Sequence, residues 1–357
     1  MSEHQAELRA EGRADLPVQS TAGTVEGGRR RRPGRRRRDE HQMVPDATFT
    51  SYYGRPVVKA SPWEADIPAY LFLGGLAAGS SLLGAGAGLT GRPALRRAGR
   101  ISALTAISAS FAALVHDLGR PSRFLNMLRV AKPTSPMSVG TWILTVYGPL
   151  AGVAGAAELL TPLAGKLPCS VRPPIRLLGR FAGPAGVGAA VVAPAVASYT
   201  AVLLTHTSTP TWSAARKHLP FVFVGSAAAA SGGLGMLLAP VSEAGPARRL
   251  ALGGALLELG VERAMEASMG ITAEPLHLDT GGVLMRASKT LTVLGVLGTL
   301  LSRRSRVAAG LSGAALVAGS ACTRFGIFEA GQASARDPKY TVVPQRRRIQ
   351  SGESAGA

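Results

Sequence analysis

Three carboxylates recur at a fixed spacing in the second half of the chain, where Glu258, Glu262 and Glu266 lie four residues apart. This spacing places all three on one face of a helix. In a helix buried within a membrane they would form a ladder able to relay protons, because ionisable groups at membrane depth are costly and tend to mark ion or proton pathways. In a helix lying at the membrane surface they would form a solvated stripe. The sequence is compatible with both interpretations.

A second set of proton-exchanging side chains lies where apolar segments end. His116 and Asp117 close one segment and are followed by Arg120, while His206 closes another. An aspartate beside an arginine at a helix end is more often a salt bridge than a reacting group, so a structural role competes with a chemical one. His116 and His206 are also the one reasonable pair of haem ligands. Both lie at segment ends, so we expect no haem in this chain.

Cysteine content and charge exclude two further classes of function. Cys169 and Cys322 are the two cysteines of the chain, and two cannot supply an iron–sulfur cluster or a four-ligand zinc site. We therefore expect no metal site, and any cluster must belong to a partner. The net charge of +19 does not indicate nucleic-acid binding, because most of the excess lies between apolar segments; residues 1–41 hold 10 Lys/Arg against 7 Asp/Glu.

The apolar segments that position these groups are long enough to cross a membrane. Each approaches the roughly 20 residues that a hydrocarbon core of about 30 Å requires. The sequence predicts an all-α integral membrane protein, a bundle of about eight transmembrane helices. The sixth segment carries Arg263 besides its carboxylates and the seventh carries Arg286 and Lys289, so these two could be tilted or interfacial. The expected spans are 67–90, 101–118, 138–160, 183–206, 219–239, 247–268, 284–301 and 306–328.

The segments outside the bundle differ in composition from the body. Residues 1–50 are polar and contain an arginine run at 29–38, which predicts a disordered, uncleaved tail. Residues 51–340 form the predicted membrane domain, and 341–357 a flexible C-terminal tail. An even number of spans puts both termini on one side of the membrane, and the arginine-rich tail favours the cytoplasm.

Alternation of the eight spans distributes the ionisable groups unevenly. We call the face that holds the start of the first span and the end of the last the terminal side, and the other face the opposite side. The opposite side carries mainly Arg and Lys, with Glu243 as its clearest acid. The terminal side is therefore the candidate functional face. It is expected to carry His116, His206, His218, His277, Glu64, Asp66, Asp117, Glu274, Asp279 and Glu329.

Several strings resemble the NrfD/PsrC family, the membrane subunits of polysulfide-reductase-like respiratory complexes. The most specific are Asp117-Leu-Gly-Arg-Pro-Ser-Arg-Phe124 and Thr134-Ser-Pro-Met-Ser-Val-Gly-Thr-Trp-Ile-Leu144. Tyr70-Leu-Phe-Leu-Gly-Gly-Leu-Ala-Ala-Gly79 adds support, and the matches run from about 52 to 346. The tract Ser51-Tyr-Tyr-Gly-Arg-Pro-Val-Val-Lys59 is similar to actinobacterial members with formate-dehydrogenase-type partners.

The resemblance implies a membrane subunit without a redox centre of its own, either non-catalytic or quinone-reactive, in a molybdopterin and iron–sulfur oxidoreductase complex. Such a subunit binds quinone or menaquinone as substrate near the face that docks a ferredoxin-like iron–sulfur subunit, which connects to a molybdopterin catalytic subunit. Where some members place Asn and His in the first helix as quinone ligands, this chain has Glu64, Asp66 and Tyr70. The expected quinone-binding residues are Asp66, Tyr70, His116, Asp117 and Tyr199, and the expected proton relay is Glu258 with Glu262.

Two functions of other classes compete with this one. A secondary transporter or ion channel would show internal repeats and charges at the membrane midplane, whereas here the halves lack clear similarity and the ionisable groups crowd one face. A passive membrane anchor for peripheral enzymes would need none of the polar residues named above for quinone turnover.

Overall fold

Apolar segments become helices in this chain because a helix satisfies every backbone hydrogen bond within itself, as a lipid environment requires. The computed structural model describes residues 56–118, 122, 126–166 and 168–350. Within these ranges the helices are α1 (Asp66–Leu89), α2 (Pro93–Asp117), α3 (Pro136–Leu160), α4 (Arg172–Thr205), α5 (Pro210–Ala214), α6 (Leu219–Leu238), α7 (Gly245–Met269), α8 (Asp279–Leu301), α9 (Arg306–Arg336) and α10 (Lys339–Gln350).

The all-α membrane fold predicted from the sequence is confirmed. Among the described residues, seven helices are long and apolar enough to cross a membrane, namely α1, α2, α3, α4, α6, α8 and α9. The helix of the sixth predicted span, α7, has 25 residues but is not among them. Its arginines and glutamates lower its mean hydropathy, so length and composition alone support seven of the eight expected spans.

The bundle is assembled from helix pairs that follow one another along the chain, α1 with α2, α3 with α4, α6 with α7 and α8 with α9. Helix α1 lies at the centre and also contacts α4, α6 and α9. Small residues allow the closest approaches: a Cβ on Gly99 of α2 would lie 2.7 Å from the backbone nitrogen of Gly84 in α1. Close backbone approach of this kind is how membrane helices associate.

Contacts between helix ends confirm the alternating direction of the chain. On the terminal side the Gln332 amide, near the end of α9, donates to the carbonyls of Ser61 and Trp63, just before α1. On the opposite side Glu243 Oε2 accepts from the backbone N–H groups of Ala94 and Leu95 at 2.8 and 3.0 Å. Glu243 therefore caps the free donors at the start of α2.

Several helices extend beyond the predicted spans because charged residues continue them. Helix α2 begins at Pro93 rather than at 101, α4 at Arg172 rather than at 183, and α9 continues to Arg336. Helix α10 covers residues for which a flexible tail was expected, and its Tyr340 is buried. The N-terminal tail 1–50 lies outside the described residues.

Candidate functional site

The carboxylate ladder of α7 faces the interior of the bundle. Glu258 and Glu262 are each 1% exposed, while Glu266, nearest the end of the helix, is partly exposed. Glu258 lies eleven residues before the end of α7 at Met269, which is about 16 Å along the axis. The solvated-stripe interpretation is therefore wrong for the two deeper residues. They occupy a position where an ionisable group is costly unless it is paired.

Lys289 of α8 pairs with the outer part of the ladder. Its Nζ lies 2.8 Å from Glu266 Oε1 and 3.5 Å from Glu262 Oε1. The His277 Nε2 atom, at the terminal-side surface, lies 3.7 Å from Glu266 Oε2. Polar atoms thus continue from the surface at His277 through Glu266 and Lys289 to Glu262. All four are ionisable side chains, the kind from which a proton relay is built.

The inner carboxyl, that of Glu258, is held by α9. Thr323 Oγ1 donates to Glu258 Oε1 at 2.6 Å, and Ser288 Oγ lies 2.6 Å from the same hydroxyl. Glu258 Oε2 has no hydrogen-bond partner in the part of the chain that the structure describes. A buried carboxylate oxygen without a donor is costly, and it is an atom on which a transferred proton could reside.

Arg324 follows Thr323 in α9 and is the largest charged side chain in the interior, 1% exposed. Its Nη2 donates to the Phe223 carbonyl at 2.7 Å, and the guanidinium carbon lies 3.8 Å from the centroid of the Phe223 ring. Arg324 Nε and Nη1 have no partner among the described residues. Because its neighbour Thr323 donates to Glu258, Arg324 brings a basic side chain to the inner end of the ladder.

The ladder does not continue along α7 toward the opposite side. There the buried residues of this helix are Ala247, Ala251, Gly254 and Ala255, which have no side-chain group that exchanges protons. Along α7 the ionisable groups therefore begin at the terminal side and end at Glu258, within the bundle.

The structure brings together three of the residues predicted to bind quinone. Asp66, at the start of α1, lies with its Oδ2 2.6 Å from Nδ1 of His116, near the end of α2. The His116 side chain is 82% exposed, and half-buried Asp117 adjoins it. These three residues form a cluster on the terminal side, in which the contact between His116 and Asp66 joins α2 to α1. Arg120, the sequence neighbour expected to pair with Asp117, lies outside the described residues.

The two predicted tyrosines lie deeper. Tyr70 is buried one turn after Asp66, and Tyr199 is buried near the end of α4, where its ring packs on Gly140 of α3. A Cβ on Gly140 would lie 2.4 Å from that ring. The Tyr199 hydroxyl has no partner among the described residues. It is a free donor within the bundle, yet no described contact joins it to Asp66 or His116.

Two cavities of ligand size are present elsewhere. One, of about 690 Å³, lies on the terminal side beside α5 and α10 and is lined by Arg216, Lys217 and Tyr340. Burial, then nearby Glu274 and Asp337, raise the pKa of Tyr340, so its hydroxyl remains protonated. The other, of about 560 Å³, lies on the opposite side. Neither is lined by any of the five residues predicted to bind quinone.

A comparison with known protein families identifies the family to which this chain belongs. The family model described as polysulphide reductase, NrfD, matches residues 57–271. The chain belongs to the NrfD family. It is therefore a multi-pass membrane protein of a family that indicates a membrane subunit of a respiratory oxidoreductase complex. No curated protein matches the chain. The match supports no narrower assignment to the formate-dehydrogenase-associated type.

Four residues that complete the ladder were not predicted as site residues: Ser288, Lys289, Thr323 and Arg324. All lie beyond residue 271, where the family match ends. Arg324 had a signal in the sequence, because it is a lone cation inside an apolar helix and such residues are functional candidates by default. Ser288 and Thr323 had no such signal in the sequence, since serine and threonine are common in membrane helices.

Proposed function

We propose that this NrfD-family subunit exchanges electrons between a quinone pool and an iron–sulfur partner subunit, and that the α7 ladder supplies or removes the accompanying protons. The observation that carries the proposal is the burial of Glu258 and Glu262 inside the bundle. Lys289 of α8 pairs with Glu262, and Thr323 of α9 donates to Glu258. Reduction of a quinone to a quinol takes two electrons and two protons. A site inside a bundle needs a path for those protons.

The chain's own residues would bind and protonate the quinone head group. A head group needs a hydrogen-bond partner at each carbonyl within a mostly apolar pocket. The unpaired Tyr199 hydroxyl is a donor already desolvated, and Tyr70 lies in the same apolar core. Asp66, His116 and Asp117 would exchange protons with the terminal-side water, because His116 is largely exposed.

Electrons would come from or go to a partner, because no group of three or more potential metal ligands occurs in the described part of the chain. The partner proposed is a ferredoxin-like iron–sulfur subunit joined to a molybdopterin catalytic subunit, and menaquinone is the proposed substrate. Docking on the terminal side is favoured by the residues that gather there. An iron–sulfur cluster of the partner must lie near the quinone for electron transfer to be fast.

The ionisable groups of α7 lie on one side of the bundle, and this distribution argues against an ion channel. A channel requires polar groups or water across the full thickness of the membrane, whereas toward the opposite side α7 buries only small apolar residues. A passive anchor would have no use for two buried carboxyls, which cost stability wherever they are incompletely paired.

The test is quinone-linked turnover of the assembled complex carrying Glu258→Gln or Glu262→Gln. Each substitution removes a titratable proton with little change of volume, so turnover should fall by about 10²-fold or more, in keeping with lost proton transfer. Glu274→Gln is the matched control, because Glu274 is a half-exposed carboxylate paired with Lys339 at 2.7 Å. Equal turnover in all three variants, with the complex intact, would exclude the ladder from the reaction.

A further inference from the structure

The opposite-side cavity has a charged wall that the proposed function does not use. It lies between the end of α1, the start of α2, the end of α3 and the first half of α4. Its charged lining residues are Arg96, Arg100 and Glu158. Two guanidinium groups face one carboxylate, so the cavity has a net charge of +1.

The arginines share one atom of the carboxylate. Arg96 Nε and Arg100 Nη1 donate to the same Glu158 Oε1, at 2.8 and 2.9 Å. The Arg100 side chain is only 10% exposed, and its Nε has no partner in the described part of the chain. A buried guanidinium N–H without an acceptor is costly. The Nε atom itself is covered on the α4 side, beside Gly186, so an anion in the cavity would act on the charge of the guanidinium group rather than on this N–H.

The shape of the site favours a phosphate group with an attached apolar part. Arginine presents its donors in a planar fork that suits phosphate oxygens. Gly183 leaves space on the α4 wall, since a Cβ there would meet nothing within 4 Å. Leu89 and Val187 are exposed at the rim of the cavity, where an acyl chain could lie. The volume of about 560 Å³ falls within the usual range for small ligands.

The depth of the arginines matches a lipid head group at the membrane boundary. Arg100 lies seven residues after Pro93, where α2 begins on the opposite side, which is about 10 Å along the axis. Basic pockets between membrane helices bind the head groups of anionic lipids. We propose that this cavity is a binding site for the phosphate of an anionic phospholipid, whose chains lie against Leu89 and Val187.

The test is native mass spectrometry of the full chain in detergent, titrated with phosphatidylglycerol or with phosphatidylcholine. Phosphatidylglycerol should bind more tightly. Arg100→Gln should weaken that binding about tenfold, because it removes charge-assisted hydrogen bonds while Glu158 keeps Arg96 as its partner. Glu158→Gln should tighten it about threefold, since a negative charge leaves the wall. Arg304→Gln, an exposed change outside the cavity on the same side, is the control.

The two opposed shifts separate a lipid site from a structural ion pair. If Glu158→Gln weakens lipid binding as Arg100→Gln does, the three residues only hold the helices together and the proposal is wrong. It is equally wrong if Arg304→Gln has the effect of Arg100→Gln, or if phosphatidylcholine binds as well as phosphatidylglycerol. Inorganic phosphate at millimolar concentration that displaces the lipid would show a soluble-anion site, and displacement by menaquinone a quinone site; both would overturn the proposal.

Discussion

The Thr323 hydroxyl connects α8 and α9 to the buried carboxyl of Glu258, so its removal tests the inner end of the ladder. Thr323→Val keeps the shape of the side chain and deletes one oxygen. That oxygen donates to Glu258 Oε1 at 2.6 Å and lies 2.6 Å from Ser288 Oγ. A hydroxyl has a single proton, so Ser288 is the donor in the second bond. The same proton also points to the Gly319 carbonyl within α9, at the longer distance of 3.1 Å. The substitution therefore loses the two short hydrogen bonds, to Glu258 and Ser288, and this weaker contact.

The expected cost follows from these two bonds. A hydrogen bond to a charged group contributes about 1.5–3 kcal/mol, and a neutral one between membrane helices about 0.6 kcal/mol on average. Thr323→Val should therefore lower the free energy of unfolding by about 2–4 kcal/mol. Thr323→Ser keeps the hydroxyl and loses one methyl group, which costs about 0.8 kcal/mol.

Denaturant-induced unfolding in detergent, followed by tryptophan fluorescence, measures the difference. Thr290→Val is the control, because the Thr290 hydroxyl is exposed on α8 and donates only to the Arg286 carbonyl; it should change stability by no more than about 0.5 kcal/mol. Adding Ser288→Ala to Thr323→Val should cost little further, since the Ser288 bond is already lost. If Thr323→Ser destabilises as much as Thr323→Val, the hydroxyl contributes nothing and the reasoning fails.

Three further outcomes are expected. Gly331→Ala should lower the melting temperature markedly, because a Cβ there would lie 1.9 Å from Trp212 Nε1, whereas Gly310→Ala, with open space around it, should not. Glu243→Gln should cost about 1 kcal/mol in a denaturant titration by weakening the cap of α2; no loss would refute the cap. The purified chain should lack haem and iron–sulfur absorbance, and a Soret band in its visible spectrum would contradict this.

The length and apolar composition of the segments were enough to predict the long helices, but charged residues concealed where these helices begin and end. Arg96 and Arg100 lie in the first turns of α2, where pairing with Glu158 and exposure at the boundary keep them helical. A prediction based on apolar residues alone places such arginines in the loop before the helix. Mean hydropathy does not reveal Arg324 either, since one cation scarcely alters the average over the 31-residue α9; its signal is that of a single cation within an apolar segment.

The candidate site was predictable only where its residues share an element. The spacing of four residues between the α7 carboxylates was visible in the sequence. Their burial follows from the face of the helix that they occupy. Lys289 and Thr323 join the ladder through the packing of α8 and α9 against α7 and α6, which no local pattern encodes. The Asp66–His116 contact likewise depends on how α1 meets α2. Tertiary contacts of this kind cannot be read from spacing.

Among the long helices described, α7 is the one that its hydropathy does not identify as a membrane span. Whether it crosses the membrane can be argued from which of its side chains are exposed and which are buried. A helix lying on a membrane surface buries its apolar face and exposes its acids. Here the arrangement is reversed: Leu256 and Leu257 are exposed at 65% and 40%, while Glu258 and Glu262 are buried. Exposed leucines at mid-helix suit lipid, and inward carboxyls suit a bundle whose other helices hold the counter-charges.

Helix α7 should therefore cross the membrane as an eighth span, which places its two ends on opposite faces. Single cysteines at Ser242, before α7, and at Leu278, after it, test this, because both positions are exposed. In a background without Cys169 and Cys322, a membrane-impermeant thiol reagent should label them from opposite sides of sealed vesicles. A cysteine at Thr90, after α1, should be labelled from the same side as Ser242. If both ends of α7 are labelled from the same side, the helix does not cross the membrane. Glu258 would then not lie deep in the membrane, and the reasoning would be wrong.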